Sequence, residues 1–191
     1  MFNRYEQTAL TSVDSYKLGH AEMYPPGTTK VYSNFTPRSM NHLNLPQSLK
    51  DNKIVWVGMQ VFLKDLVHFW DLTFFSRDED EVVEEFLEFV APFCGPNGFD
   101  ERHIRLLHRM GYLPLKIKAL PEGSRVNIGV PCVTITNTVD HAYWLPNYLE
   151  TWMSAELWKA PTSATLSYAY HRIINQYAEL TGVLTIEVEE S

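Results

Sequence analysis

Asp14, Tyr16 and Arg38 are early side chains whose types could do more than pack. They lie in the run VDSYKLGHAEMYPPGTTKVYSNFTPR, from Val13 to Arg38. Asp14 supplies a carboxylate, and Tyr16 a flat aromatic face with a polar tip. Arg38 supplies a planar guanidinium that can grip two oxygens of one anion at once. Together these groups suit a flat ligand with an anionic end. Each also has a plainer reading. Asp14, like Ser12, stands where a helix cap belongs, and tyrosines near caps are common. An arginine just past a strand end is often only solvated.

The pattern around these residues predicts the elements that position them. Tyr24-Pro25-Pro26-Gly27-Thr28 is turn chemistry, since Pro fixes φ and Gly allows positive φ. Lys30 to Thr36 reads as a strand, with Val31, Ser33 and Phe35 facing one way and Tyr32 and Asn34 the other. Pro37 ends it. Ser39 to Lys53 is a long polar loop. Ile54 to Val57 is a short buried strand that stops at Gly58. Met59 to Phe75 follows as a helix, with Val61, Phe62, Leu66, Phe69 and Trp70 apolar and Lys64, Asp65 and His68 opposite. Ser76 and Glu79 have the spacing of a capping box, ahead of a helix that turns Val82, Val83, Phe86, Leu87 and Val90 inward. Pro92 to Gly98 breaks that helix. Asp100 caps a short one ending at Met110, with Gly111 as its stop.

Leu113 to Leu120 alternates as a half-exposed strand. Ser124 to Asn127 and Val133 to Thr136 continue as short strands, and the three read as a small antiparallel meander. A helix begins near Leu145, with Pro146 in its first turn, and runs to Leu157. Another opens at Pro161-Thr162-Ser163, runs to about Leu180 and is closed by Gly182. Its apolar side carries Leu166, Ala169, Tyr170, Ile173, Ile174 and Tyr177. Val183 to Ser191 has the composition of a strand. The expected class is α+β, with helices packed on a mainly antiparallel sheet.

Composition narrows the possible functions. The net charge of −7 argues against a general nucleic-acid binder, which needs a basic face. It leaves room for a small phosphorylated ligand held by a few arginines. The opening MFNRYEQTAL lacks the apolar core of a signal peptide, and no apolar run reaches the ~20 residues that cross a bilayer. Cys94 and Cys132 form no zinc-type pair and suit a reducing cytoplasm. The acids after Ser76 read as a solvated helix face, not a metal site. His103 and His108, five apart, do not share a helix face as two zinc ligands would. There is no dinucleotide glycine fingerprint, Walker A loop, H-E-x-x-H or nucleophile elbow. No catalytic residue is therefore assigned.

Several segments carry a resemblance that these patterns do not. They are DSYKLGH with YPPGTTKVYS; Trp56-Val57-Gly58-Met59-Gln60; PLKIKALPEGSRVNIGVPCVTITNT; YWLPNYLETWMSAELW; and PTSATLS. In order and spacing they resemble the nicotinamide phosphoribosyltransferases, over roughly Thr11 to Gly182. The resemblance implies a type II phosphoribosyltransferase, a homodimer with active sites at the subunit interface. Its reaction joins nicotinamide to phosphoribosyl pyrophosphate, with Mg2+, giving nicotinamide mononucleotide and pyrophosphate in NAD salvage. In such enzymes the pyridine ring is held between two aromatic rings, and Tyr16 matches the one supplied by the partner subunit. Arg38 matches an arginine near the substrate phosphates, and Asp14 a residue lining the same pocket.

The resemblance also sets an expectation about extent. After the helix that Gly182 closes, the family continues into a His-Asp-Phe-Gly-x-Arg segment and most of an α/β barrel. That part holds the second stacking aromatic, the acid that contacts the amide and most phosphate contacts. Here the corresponding stretch reads VLTIEVEES. The expected organisation is thus residues 1–182 as the N-terminal region of a phosphoribosyltransferase, with 183–191 a divergent tail. The chain is then a truncated or split enzyme, inactive alone, that works as a homodimer or with a complementary C-terminal chain. Apolar faces meant for a barrel would be left uncovered. The alternatives are a non-catalytic module that assembles with a fuller chain, or a nicotinate phosphoribosyltransferase.

Overall fold

The computed structural model of the chain describes residues 8–95 and 99–182. In chain order the elements are α1 (His20–Met23), β1 (Tyr32–Phe35), β2 (Lys53–Val55), α2 (Met59–Trp70), α3 (Glu79–Cys94) and α4 (Arg102–Met110). Then come β3 (Leu115–Ala119), β4 (Arg125–Asn127), β5 (Val133–Asn137), α5 (Leu145–Tyr148), α6 (Glu150–Leu157) and α7 (Lys159–Thr181). The class is α+β, as expected.

The sheets differ from the expected meander. One has the order β1-β5-β3 and the other pairs β2 with β4. Leu120 N–H donates to the Cys132 carbonyl at 2.9 Å and Thr138 N–H to that of Pro114 at 2.8 Å, so β3 and β5 run antiparallel. β4 leaves this pair and lies antiparallel to β2, with Ile54 opposite Val126. The cause is local. Gly123 (φ 88°) and Gly129 (φ 85°) turn the chain at both ends of β4, so residues 121–131 form an excursion closed by the Leu120–Cys132 bond.

The chain divides into two compact units. The first comprises Met1–Ser33, Gln60–Lys118 and Thr134–Glu156, the second Asn34–Met59, Ala119–Val133 and Leu157–Ser191. In the first unit, Phe62, Leu66 and Trp70 of α2 are buried every fourth residue, as the apolar stripe predicts. Val61 is off that stripe and 64% exposed, which corrects its placement among the inward residues. The last turn, Asp71–Phe75, is π-helical and buries Phe74. The cap of α3 is Asp78, whose carboxylate accepts from the Asp80 and Glu81 amides, not the Ser76–Glu79 box. α3 continues through Pro92 to Cys94 and stops at Gly95; Pro96 to Gly98 lie outside the described residues. Arg105 and Arg109 of α4 bind Glu79, while Arg105 also binds Asp80 and Glu101. The acids at the start of α3 are thus ion-paired.

The second unit packs α7 on β2. Thr165 of α7 accepts from the Val55 amide at 3.0 Å and donates to the Pro161 carbonyl at 2.6 Å. Gly58 has φ +97°, and a Cβ there would lie 2.7 Å from the Ala160 Cβ, so the turn needs glycine for both reasons. Phe35 packs against Trp158 with ring centroids 4.4 Å apart. α7 starts two residues before the expected Pro161 and ends at a left-handed Gly182, as expected. Only part of its expected apolar side is covered. Ala169 is buried, whereas Tyr170, Ile174, Tyr177 and Leu180 are exposed. The strand expected over Val183 to Ser191 lies outside the described residues.

Candidate functional site

Asp14 precedes the short 3-10 turn Ser15–Lys17, and Tyr16 is its middle residue. The turn closes through the Lys17 amide, which donates to the Asp14 carbonyl at 2.8 Å. Neither suggested cap acts as one. The Ser12 hydroxyl donates to the Thr8 carbonyl, and the Asp14 carboxylate makes no cap bond. Asp14 is instead bound twice to Thr151 at the start of α6. Its amide donates to Thr151 Oγ1 at 3.0 Å, and Thr151 Oγ1 donates to Asp14 Oδ2 at 2.8 Å.

Lys17 explains why the turn is held so firmly. Its side chain has no solvent exposure, and its ammonium reaches Glu150 Oε2 at 2.6 Å and Asp14 Oδ2 at 3.9 Å. A buried ammonium is tolerated only with an anion against it. Both anions come from the two segments that the turn must join. With Lys17 directed inward, the neighbouring Tyr16 ring points out and is 59% exposed. The Lys17 ammonium lies 5.6 Å from its centroid, and the His20 ring 5.5 Å away.

The electrostatics follow from this arrangement. The Tyr16 hydroxyl is held above its usual pKa, first by desolvation, then by the negative charges of Asp14 and Glu150. Burial, helped by the Lys17 charge, pushes His20 down. Its Nδ1 is buried without a hydrogen-bond partner among the described residues. Behind His20, the Tyr24 hydroxyl accepts from Asn147 Nδ2 at 2.6 Å, and the Tyr143 hydroxyl donates to the Ala21 carbonyl at 3.0 Å. α1 is thereby tied to the segment from Tyr143 to Asn147.

Arg38 belongs to the second unit. It follows Pro37, which is buried and whose carbonyl accepts from the Gly129 amide at 2.8 Å. The Arg38 side chain is exposed and has no hydrogen-bond or ion-pair partner among the described residues. The structure therefore brings Asp14 and Tyr16 together, while Arg38 is an exposed cation at a strand end of the second unit.

Sequence reasoning missed Lys17, His20, Glu150 and Thr151. Lys17 carried a weak signal, as a lysine between a tyrosine and a leucine in a compact turn. Glu150 and Thr151 carried none, because their partners lie more than a hundred residues away. A groove of about 680 Å³ in the first unit, lined by Leu63, Val67, Trp70, Phe75 and Tyr112, contains none of Asp14, Tyr16 or Arg38. Among the described residues no cluster of three or more His, Cys, Asp or Glu could hold a metal ion. Asp14 is committed to Thr151, so these residues make no ready magnesium cradle.

The α+β fold has a counterpart among solved structures. The structure of human Nicotinic Acid Phosphoribosyltransferase shares the fold, with a TM-score of 0.51 at 18% identity over 75% of this chain and 25% of that one. The fold is thus one found in a phosphoribosyltransferase. The chain belongs to the nicotinamide phosphoribosyltransferase family: residues 8–117 match the model described as Nicotinamide phosphoribosyltransferase, N-terminal domain. Curated relatives agree. The Nicotinamide phosphoribosyltransferase of Acinetobacter baylyi is 47% identical over 174 residues, covering 91% of this chain and 34% of that protein. That of Xanthomonas campestris pv. campestris is 28% identical over 179 residues, covering 93% and 34%. The chain therefore spans about a third of the length of these relatives. None of its described helices is long and apolar enough to cross a membrane.

Proposed function

We propose that the chain supplies the N-terminal part of a nicotinamide phosphoribosyltransferase, a pentosyltransferase of NAD salvage in the cytoplasm. Tyr16 is the stacking platform for the pyridine ring, Asp14 braces that platform, and Arg38 binds the phosphates of phosphoribosyl pyrophosphate. The observation that carries this reading is the exposed Tyr16 ring beside the buried Lys17, which Glu150 neutralises, with Tyr16 inside the family-matched segment. The turn that carries the ring is held before a ligand arrives, so less backbone freedom remains to be lost on stacking.

In the reaction the pyridine nitrogen uses its lone pair to bond the anomeric carbon. The bond from that carbon to pyrophosphate breaks, and its electron pair leaves with the pyrophosphate. Tyr16 orients the ring for this in-line approach, and Arg38 takes part of the negative charge on the phosphates. Magnesium is proposed to enter with phosphoribosyl pyrophosphate, where it would neutralise phosphate charge.

We further propose that the chain acts with a second polypeptide, either another copy or a complementary C-terminal chain. The exposed stripe of Tyr170, Ile174, Tyr177 and Leu180 supports this, since an apolar helix face of that length favours a cover. The test is nicotinamide mononucleotide formation with nicotinamide, phosphoribosyl pyrophosphate and magnesium. The chain alone is expected to give no product, and addition of the C-terminal portion of a family member is expected to restore it. The Tyr16→Ala chain should fail to be restored. Full activity of Tyr16→Ala in the reconstituted enzyme would overturn the platform assignment.

A further inference from the structure

We propose that His20 is a positioning residue for Tyr16: its neutral imidazole backs the phenol ring, and a proton gained by His20 withdraws that backing. The role rests on the reading of Tyr16 as the ring platform and adds what sets the orientation of that ring.

The sequence places the two rings together. Tyr16, His20 and Tyr24 recur every fourth residue, and the backbone between them is nearly helical. The 3-10 turn passes through Leu18 (φ −56°, ψ −39°) and Gly19 into α1. Side chains four apart on such a stretch are neighbours. The His20 ring centroid lies 5.5 Å from that of Tyr16, with the planes tilted by 59°, and 6.5 Å from that of Tyr24, edge-on. Tyr24 in turn meets Tyr143 edge-on at 5.3 Å and accepts a hydrogen bond from Asn147. His20 is thus fixed from behind. In front of it the Tyr16 ring is mostly exposed, and the His20 ring is its one aromatic neighbour among the described residues.

The seat suits only a neutral imidazole. His20 Nδ1 is buried with no hydrogen-bond partner among the described residues. An imidazolium carries an N–H on both nitrogens, so it would bury a donor without an acceptor. The charged and titratable groups around His20 are Lys17 and Tyr16 on the turn, Tyr24 beyond α1 and Glu150 at the start of α6. The buried Lys17 ammonium repels a second cation, and Glu150 is already engaged with it at 2.6 Å. Burial and the Lys17 charge outweigh Glu150 and hold the imidazole below its usual pKa. A protonated His20 therefore turns toward water, and Tyr16 loses the ring behind it. An unbacked ring samples more rotamers, and a ligand that stacks on it must first reverse that. The competing reading is that His20 only fills space between the turn and Tyr24.

The ligand-free chain tests the coupling of the two rings directly. Tyrosine rings are isotope-labelled, the Tyr16 signal is assigned by its loss in Tyr16→Phe, and NMR follows it from about pH 8 down to about pH 4.5. The signal should move with one midpoint below 6.5, the same midpoint as the His20 ring signals. His20→Phe keeps a ring but has no proton to gain, and should hold the Tyr16 signal still over that range. His20→Ala should give a rotamer-averaged signal at every pH. In the enzyme reconstituted with a C-terminal portion, His20→Ala should raise the KM for nicotinamide roughly twofold to tenfold, and by more than it lowers kcat, as one newly mobile side chain would. His20→Phe should restore the KM.

A Tyr16 signal that ignores the His20 titration overturns the proposal. So does a midpoint that persists in His20→Phe, or a KM that His20→Phe fails to restore. The wild-type titration needs no variant to fold, and far-ultraviolet circular dichroism verifies the fold of each variant and at each pH. If the KM for nicotinamide is the same in Tyr16→Ala as in the wild type, the platform reading fails. The coupling between the two rings then still stands or falls on the ligand-free signals.

Discussion

Two charge clusters in the first unit invite comparison. The Asp14–Lys17–Glu150 cluster is built around an ammonium with no solvent exposure. The Glu79–Asp80–Glu101 cluster with Arg105 and Arg109 has more ion pairs, all partly or largely exposed. The second lies between α3 and α4, whose association already rests on buried Val83, Phe86, Ile104 and Leu107. The first joins a short turn to the start of α6. Burial of one member, more than the number of ion pairs, makes a charge cluster a positioning device. A buried charge has few acceptable geometries, whereas a solvated one has many.

Removing the counter-ion of Lys17 should break the comparison most strongly. Glu150→Ala leaves a buried ammonium with Asp14 alone at longer range. Its expected cost is about 2–3 kcal/mol, measured by urea unfolding. A cost near zero would mean that the Lys17 ammonium reaches water in the variant.

An acid titration of stability should show the next largest effect. Burial pushes His103, packed against Trp144 and Phe99, down to about 4. The folded pKa lies below the usual value of 6.5, so the unfolded chain binds the extra proton between those limits. Stability should be full above about pH 6.5 and fall by about 2 kcal/mol as the pH approaches 4. His20, shifted the same way, adds to the loss. Glu79 is held down to about 2, first by its hydrogen bonds to Arg109. Its contribution is present above about pH 4.5 and fades only as the pH falls toward 2. His103→Phe should flatten the profile between pH 6.5 and 4.5 and leave the more acidic limb in place. A profile unchanged in that variant would assign the loss elsewhere.

The exposed cluster should yield least. Arg109→Ala removes two hydrogen bonds to Glu79, yet the thermal midpoint is expected to move by no more than about two degrees. That shift should vanish in high salt. Tyr16→Ala should be equally mild for stability, because the ring is mostly outside, while abolishing nicotinamide binding. A midpoint lowered by much more would make Tyr16 a packing residue.

The fold was legible where periodicity was strong. Phe62, Leu66 and Trp70 marked the buried side of α2, and Gly111 and Gly182 marked where α4 and α7 end. It was illegible where pairing is non-local. The short stretch Arg125–Asn127 looks alike beside β3 or beside β2, and only the turns at Gly123 and Gly129 decide between them. Val61 and Tyr170 show another limit: apolar identity does not reveal whether a face is covered. At the site, Tyr16, Asp14 and Arg38 were found by residue type and family resemblance. The brace beneath Tyr16 was not, because Lys17 and Glu150 are 133 positions apart in the chain.

Thr165 has a consequence for how this sequence can drift. β2 is bonded to β4 on one side, and on the other its Val55 amide ends at a single hydroxyl of α7. That oxygen accepts from the strand while donating back to Pro161, so it needs both a proton and a lone pair. Serine can take its place, but valine, of nearly the same shape, cannot. Thr165→Val would leave the Val55 amide without its acceptor. One hydroxyl thus ties a three-residue strand to the helix packed on it.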